Sequence, residues 1–133
     1  MEVLSQPTSV FAWTAVSTRL PDLDNKFNKH IKLNMKNIAV FVFNGFSDWE
    51  IAYLCPEINK NEKFELQFFS LSGEDVYSMG GMKIRPNNSL QAINLSDIEM
   101  LILPGGTAWE KDENNGIIPL INSTFENGKT IAA

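Results

Sequence analysis

The sequence predicts one α/β domain built on a doubly wound, mostly parallel sheet with helices on both faces. Three observations carry that expectation. Residues 38–43 form an uninterrupted apolar run rich in Val and Phe, Met100-Leu101-Ile102-Leu103 form the apolar core of a second strand at 98–103, and helical periods follow both. Strands that alternate with helices need crossover connections, which are right-handed and wind the helices around the sheet. At 133 residues and 44% hydrophobic, the chain supports one core and is short for two domains.

Residues 1–34 read as a poorly defined N-terminal extension. Their apolar residues, Val10, Phe11, Ala12, Trp13, Ala15 and Val16, are too few to span a membrane. A secretory signal places basic residues before its apolar stretch, whereas here Glu2 comes early and the first basic residue, Arg19, comes after. The segment holds Arg19, Lys26, Lys29 and Lys32 against Glu2, Asp22 and Asp24, so the acidic surplus belongs to residues 35–133. Met35-Lys36-Asn37-Ile38 leads directly into the first strand, as a compact domain commonly begins. Two readings stay open: a leader before a natural start at Met35, or an ordered arm.

Within residues 35–133 the elements follow in order. The strand at 38–43 lacks polar alternation and is expected at the sheet centre. Asn44-Gly45 breaks it, and Ser47-Asp48-Trp49-Glu50 fits a capping box, with Ser47 at N-cap and Glu50 three residues on. The helix from about Asp48 should be short or bent, because Pro56 has no amide proton. Residues 64–71 read as a second strand, and Ser72-Gly73-Glu74-Asp75 as a turn. Residues 76–79 and 82–85 flank Gly80-Gly81, which predicts a β-hairpin appended to the sheet. After a connection at 90–93 comes the strand at 98–103, turned by Pro104-Gly105-Gly106. A helix over 117–127, with Pro119 in its first turn and Gly128 past its end, precedes a last strand from Lys129.

Composition narrows the function classes. A net charge of −5 argues against nucleic acid and anionic membranes as partners. The single cysteine, Cys55, cannot form an internal disulfide and favours the cytoplasm. His30, the only histidine, has no companions for a metal site, so neither metal nor other cofactor is expected. Cys55, Trp49 and Trp109 read as packing residues, with Trp109 a candidate for a pocket mouth. Asp48 reads as a first-turn residue favoured by the helix dipole, and Gly80-Gly81 as a turn only.

In doubly wound sheets, ligands bind beyond the carboxyl ends of the strands. The loops to search are those after residues 43 and 103, and whatever follows residue 133. Here the sequence resembles the ThiJ/PfpI family, of the class I glutamine amidotransferase-like superfamily, which includes the parkinsonism-associated deglycase. Three features carry the resemblance: Gly45 with the acidic helix start through Glu50, Leu103-Pro104-Gly105-Gly106, and Thr130-Ile131-Ala132-Ala133. It covers residues 35–133 and implies a flavodoxin-like sheet, truncated after the start of the strand that leads to the family's nucleophilic cysteine. Carried over, Glu50 matches the carboxylate that hydrogen-bonds that sulfur, and Gly106, next to Gly105, matches an oxyanion-stabilising amide. The nucleophile itself has no match in this chain.

The implied chemistry is physically coherent. A cysteine at a helix N-terminus is favoured as thiolate, and a carboxyl kept protonated by burial can donate to it. Against this stand plain structural readings, a capping box for Glu50 and a strand-ending turn for Gly105-Gly106. Three function hypotheses follow. The complete protein is a cysteine-dependent hydrolase, amidase, deglycase or amidotransferase-like enzyme acting on a small-molecule or peptide-like substrate. It is a redox or ligand-sensing module on the same fold. Or the 133-residue chain is an inactive fragment. The resemblance also implies a homodimer as a partner state.

Overall fold

The computed structural model describes residues 35–133. Five strands form a parallel sheet: β1 (Lys36–Phe41), β2 (Phe64–Ser70), β5 (Asn88–Ser89), β6 (Ile98–Ile102) and β7 (Thr130–Ala132), in the order β5-β2-β1-β6-β7. β1 is central, as its sequence requires, and residues 38–43 are all buried. β2 and β6 pair with its two edges, and with helices packed over both faces of the sheet an apolar run is what its position requires.

Helices α1 (Asp48–Ala52) and α2 (Leu54–Asn59) carry the chain from β1 to β2, and α3 (Ile118–Glu126) connects β6 to β7. The two crossovers step in opposite directions from the sheet centre. Right-handed connections therefore place α1 and α2 on one face and α3 on the other. The sheet is doubly wound, and its order reverses between β1 and β6.

The predicted bend is a break at Tyr53. Pro56 sits in the first turn of α2, where its missing N–H is tolerated, but it cannot donate to the Ala52 carbonyl and so cannot continue α1. At the other end, α3 closes as its sequence predicts. Gly128 takes φ +65°, its amide donates to Phe125 O at 2.9 Å, and the Lys129 amide donates to Thr124 O at 3.1 Å, the paired bonds of a Schellman cap.

Two expectations need correction. The hairpin of β3 (Val76–Tyr77) and β4 (Lys83–Ile84) is a separate two-stranded sheet and does not extend the main one. Both sides of β1 are already paired, so the hairpin docks instead on the loop after it. The Gly45 amide donates to Tyr77 O at 2.7 Å, and the Met79 amide to Phe46 O at 2.9 Å. Second, β5 lies between the hairpin and the connection at 90–93, where the sequence predicts no element. It holds the edge beside β2, next to Asn87, whose Oδ1 accepts from the Phe68 amide at 2.8 Å. Among the described residues, no helix is long and apolar enough to cross a membrane.

Candidate functional site

The loops after β1 and β6 meet where the strand order reverses, the usual place for a ligand crevice in such sheets. Ser47 is at the N-cap of α1 but makes no side-chain cap bond. Its amide donates to Gly105 O at 2.8 Å, so the capping box expected between Ser47 and Glu50 does not form. The loop after β6 supplies the acceptor that Glu50 would have been, and the Glu50 carboxylate is left to turn across the crevice. There it accepts from the Gly105 amide, with N to Oε2 at 2.6 Å. The Gly105 peptide is thus held at its N–H by Glu50 and near its carbonyl by Ser47.

Both glycines of the turn lie in close contact, at Gly105 with a movable side-chain end and at Gly106 with backbone and a ring. A Cβ at Gly105 would lie 2.9 Å from Glu50 Oε1. One at Gly106 would lie 2.6 Å from Gly45 O and 2.7 Å from the Phe43 ring. Gly106 also pairs with Phe46 in an isolated antiparallel bridge that locks the two loops together. The Leu103 amide donates to Ala132 O at 2.8 Å and brings the end of β7 alongside. As a result Glu50, Leu103, Pro104 and Ala133 line two adjoining concavities, of about 410 and 460 Å³.

Trp109 closes the second of these, as a pocket-mouth residue would. Its indole Nε1 donates to Pro104 O at 3.0 Å, and its ring meets Phe43 edge-on with centroids 5.7 Å apart. Trp49 does not pack as expected: it is 62% exposed, on the solvent side of a helix of little more than one turn. Glu50 is also exposed, so the described residues do not supply the burial expected to keep its carboxyl protonated. The Gly105 amide is already engaged by Glu50. Cys55 is 8% exposed, and burial raises its thiol pKa, the opposite of an activated nucleophile. His30 lies outside the described residues.

Sequence reading missed two contributors. Phe46 is fully buried between the hairpin and the Gly106 turn, bridging to Ser78 and to Gly106. Asp48 is more than a helix-dipole residue: its Oδ2 accepts from Ser78 Oγ at 2.7 Å and from the Gly80 amide at 2.9 Å. Gly80 is accordingly more than a turn, since a Cβ there would fall 2.1 Å from Asp48 Oδ2. An aromatic residue placed directly after a strand-breaking glycine was the available signal for Phe46.

Comparison with known proteins meets this geometry. The profile of the DJ-1/PfpI family matches residues 36–133. The chain is 32% identical over 108 residues to a Bacillus subtilis (strain 168) protein described as "Uncharacterized protease YoaZ", covering 76% of this chain and 51% of that one. Among solved structures, the DJ-1 superfamily protein Atu0886 from Agrobacterium tumefaciens is similar with TM-score 0.67 at 31% identity, covering 73% of this chain and 52% of its own. A thiJ/pfpI family protein from Bacillus anthracis is similar with TM-score 0.64 at 31% identity, covering 69% and 47%. The chain spans about half the length of the relatives it matches. A profile match over the whole described domain, joined to a sheet reversal that sets Glu50 against Gly105, leaves a plain assignment: the chain belongs to the DJ-1/PfpI family.

Proposed function

We propose that residues 35–133 provide the first half of a cysteine-dependent hydrolase or amidotransferase-like site, completed by a cysteine on the turn that continues β7 just past Ala133. The observation that carries this reading is the Glu50 carboxylate, held against the turn after β6 and lining the same concavities as Ala133. A sulfur entering from the end of β7 would arrive beside that carboxylate. Residues that follow Ala133 would also cover Glu50 and supply the burial that the described residues do not.

The chemistry assigned to the completed site balances simply. The thiolate attacks a substrate carbonyl carbon, a C–S bond forms, and the carbonyl electrons move to oxygen, where the Gly106 amide is the oxyanion donor. Collapse expels the leaving group, which takes a proton from a water molecule, and the hydroxide so formed attacks the thioester, releasing the carboxylic acid and regenerating the thiolate. The Glu50 carboxyl, in its protonated form, donates a hydrogen bond to the thiolate and so acts as a positioning residue. The substrate class is a small carbonyl compound or a peptide-like amide, and the compartment is the cytoplasm.

The test begins with the reading frame past Ala133 and the intact mass of the endogenous protein. With those residues included, iodoacetamide should label the new cysteine far faster than Cys55 and abolish turnover of an activated ester or peptide amide. Glu50→Ala, which removes a hydrogen bond to a charged sulfur, should lower kcat/KM by roughly ten- to a hundredfold. Absence of a cysteine on that turn, or full turnover after its change to alanine, defeats the reading.

A further inference from the structure

On the opposite flank of β1 lies a second cavity that the proposed chemistry does not use. Its volume is about 180 Å³, several times the roughly 30 Å³ that a water occupies in the liquid. Val42, Phe43, Leu71, Val76 and Ala108 form the apolar half of its walls, and Asn44, Ser70 and Ser72 bring polar groups to it. Asn114 lines it as well. That side chain is 2% exposed, and its Nδ2 is the buried side-chain atom found without a hydrogen-bond partner among the described residues. Buried amide donors are retained where something accepts from them.

The neighbouring polar side chains do not supply that acceptor: Asn44 Oδ1 accepts from the Tyr77 amide of the hairpin at 3.0 Å, and the two serines serve the turn after β2. Ser70 Oγ accepts from the Gly73 amide at 2.9 Å, and Ser72 Oγ accepts from the Glu74 amide at 3.2 Å. The segment that carries Asn114 is aimed by Asp112, whose φ of +59° reverses the chain and lets both Glu113 and Asn114 line the cavity. Glu113 is exposed. The site therefore combines a buried neutral donor, apolar walls and a negative carboxylate.

We propose that this cavity binds a small uncharged hydroxylated molecule, with Asn114 Nδ2 donating to one of its oxygens and the Glu113 carboxylate accepting from a hydroxyl. The volume accommodates on the order of six small heavy groups at a water's share of space each. An apolar guest would leave Asn114 unpaired, and a carboxylate guest would meet Glu113 with like charge.

The experiment is a titration of the isotope-labelled full chain, followed by amide resonances, with glycerol and with propionate as a size-matched anion. Glycerol should shift the Asn114 side-chain amide and the backbone amides of residues 70–72 saturably, and propionate should not. Asn114→Leu should weaken the glycerol response at least tenfold. If that variant fails to fold, Glu113→Lys, at an exposed position, tests the same idea: propionate should then bind at least tenfold better than to the unaltered chain. Shifts that are linear and spread over the surface overturn the proposal. So do shifts unchanged by both substitutions, equal binding of the two probes, or a long-lived water on Asn114 that no probe displaces.

Discussion

The Glu50 carboxylate and the Gly105 amide, 55 residues apart in sequence, meet at 2.6 Å across the point where the strand order reverses. A carboxylate accepting from a backbone N–H is a strong class of hydrogen bond, here moderated by the exposure of Glu50. Glu50→Ala should therefore destabilise the fold by about 1 kcal/mol, while Glu50→Gln, whose side-chain carbonyl can still accept, should lose less than half of that. Urea unfolding of both variants reads the difference. Equal losses would show that the bond contributes nothing specific.

The turn itself separates two glycines that look alike in sequence. At Gly105 the obstacle to a Cβ is the end of the flexible Glu50 side chain, whereas at Gly106 it is the Gly45 carbonyl and the Phe43 ring. Gly105→Ala is expected to displace Glu50 and cost about 1 kcal/mol, comparable to losing that bond. Gly106→Ala must move backbone and should cost more than about 2 kcal/mol. Thermal or urea midpoints that rank the two in the opposite order would contradict this account of the turn.

The Asp48 carboxylate carries a pH dependence. The hydrogen bond from Ser78 is the main cause holding its pKa below the ordinary value of 3.8; desolvation opposes it and the Gly80 amide assists. A depressed folded-state pKa means that the stabilisation is present above the unfolded value and is lost as pH falls through the folded one. The hairpin tip should thus stay docked on α1 through mild acid and loosen only below 3.8. The amide resonance of Gly80 should titrate with a midpoint below 3.8, and Asp48→Asn should abolish the titration. A midpoint above 3.8 would give the shift the wrong sign.

What could be read in the sequence was whatever depends on neighbours along the chain. The apolar run at 38–43 announced a strand covered on both faces, Pro56 announced a helix break, and Gly128 announced a left-handed cap, because each follows from local stereochemistry. Partners distant in sequence were not readable. The spacing of Ser47 and Glu50 fits a capping box, yet the acceptor that displaces it comes from Gly105. The two polar residues of β5 carry no strand signal, since their role is set by the open edge of β2. Trp49 reads as packing by residue type, but so short a helix leaves one side to solvent.

Phe46 is the residue on which these long-range contacts converge. It sits in the loop after β1 with no exposed surface, bridges Ser78 of the hairpin and Gly106 of the turn, and stacks edge-on against Phe43 with centroids 6.4 Å apart. Truncation to Ala should cost about 3–5 kcal/mol, the range for buried aromatic residues. Phe46→Leu keeps most of the apolar volume and should lose much less. The local consequence distinguishes a joint from a mere core residue. In Phe46→Ala, the amide of Met79, which donates to Phe46 O at 2.9 Å, and the backbone of Gly106 should gain hydrogen exchange well before the amides of β1 do. Uniform loss of protection across β1, hairpin and turn would mean that Phe46 stabilises the core without coupling the hairpin to the Glu50–Gly105 crevice.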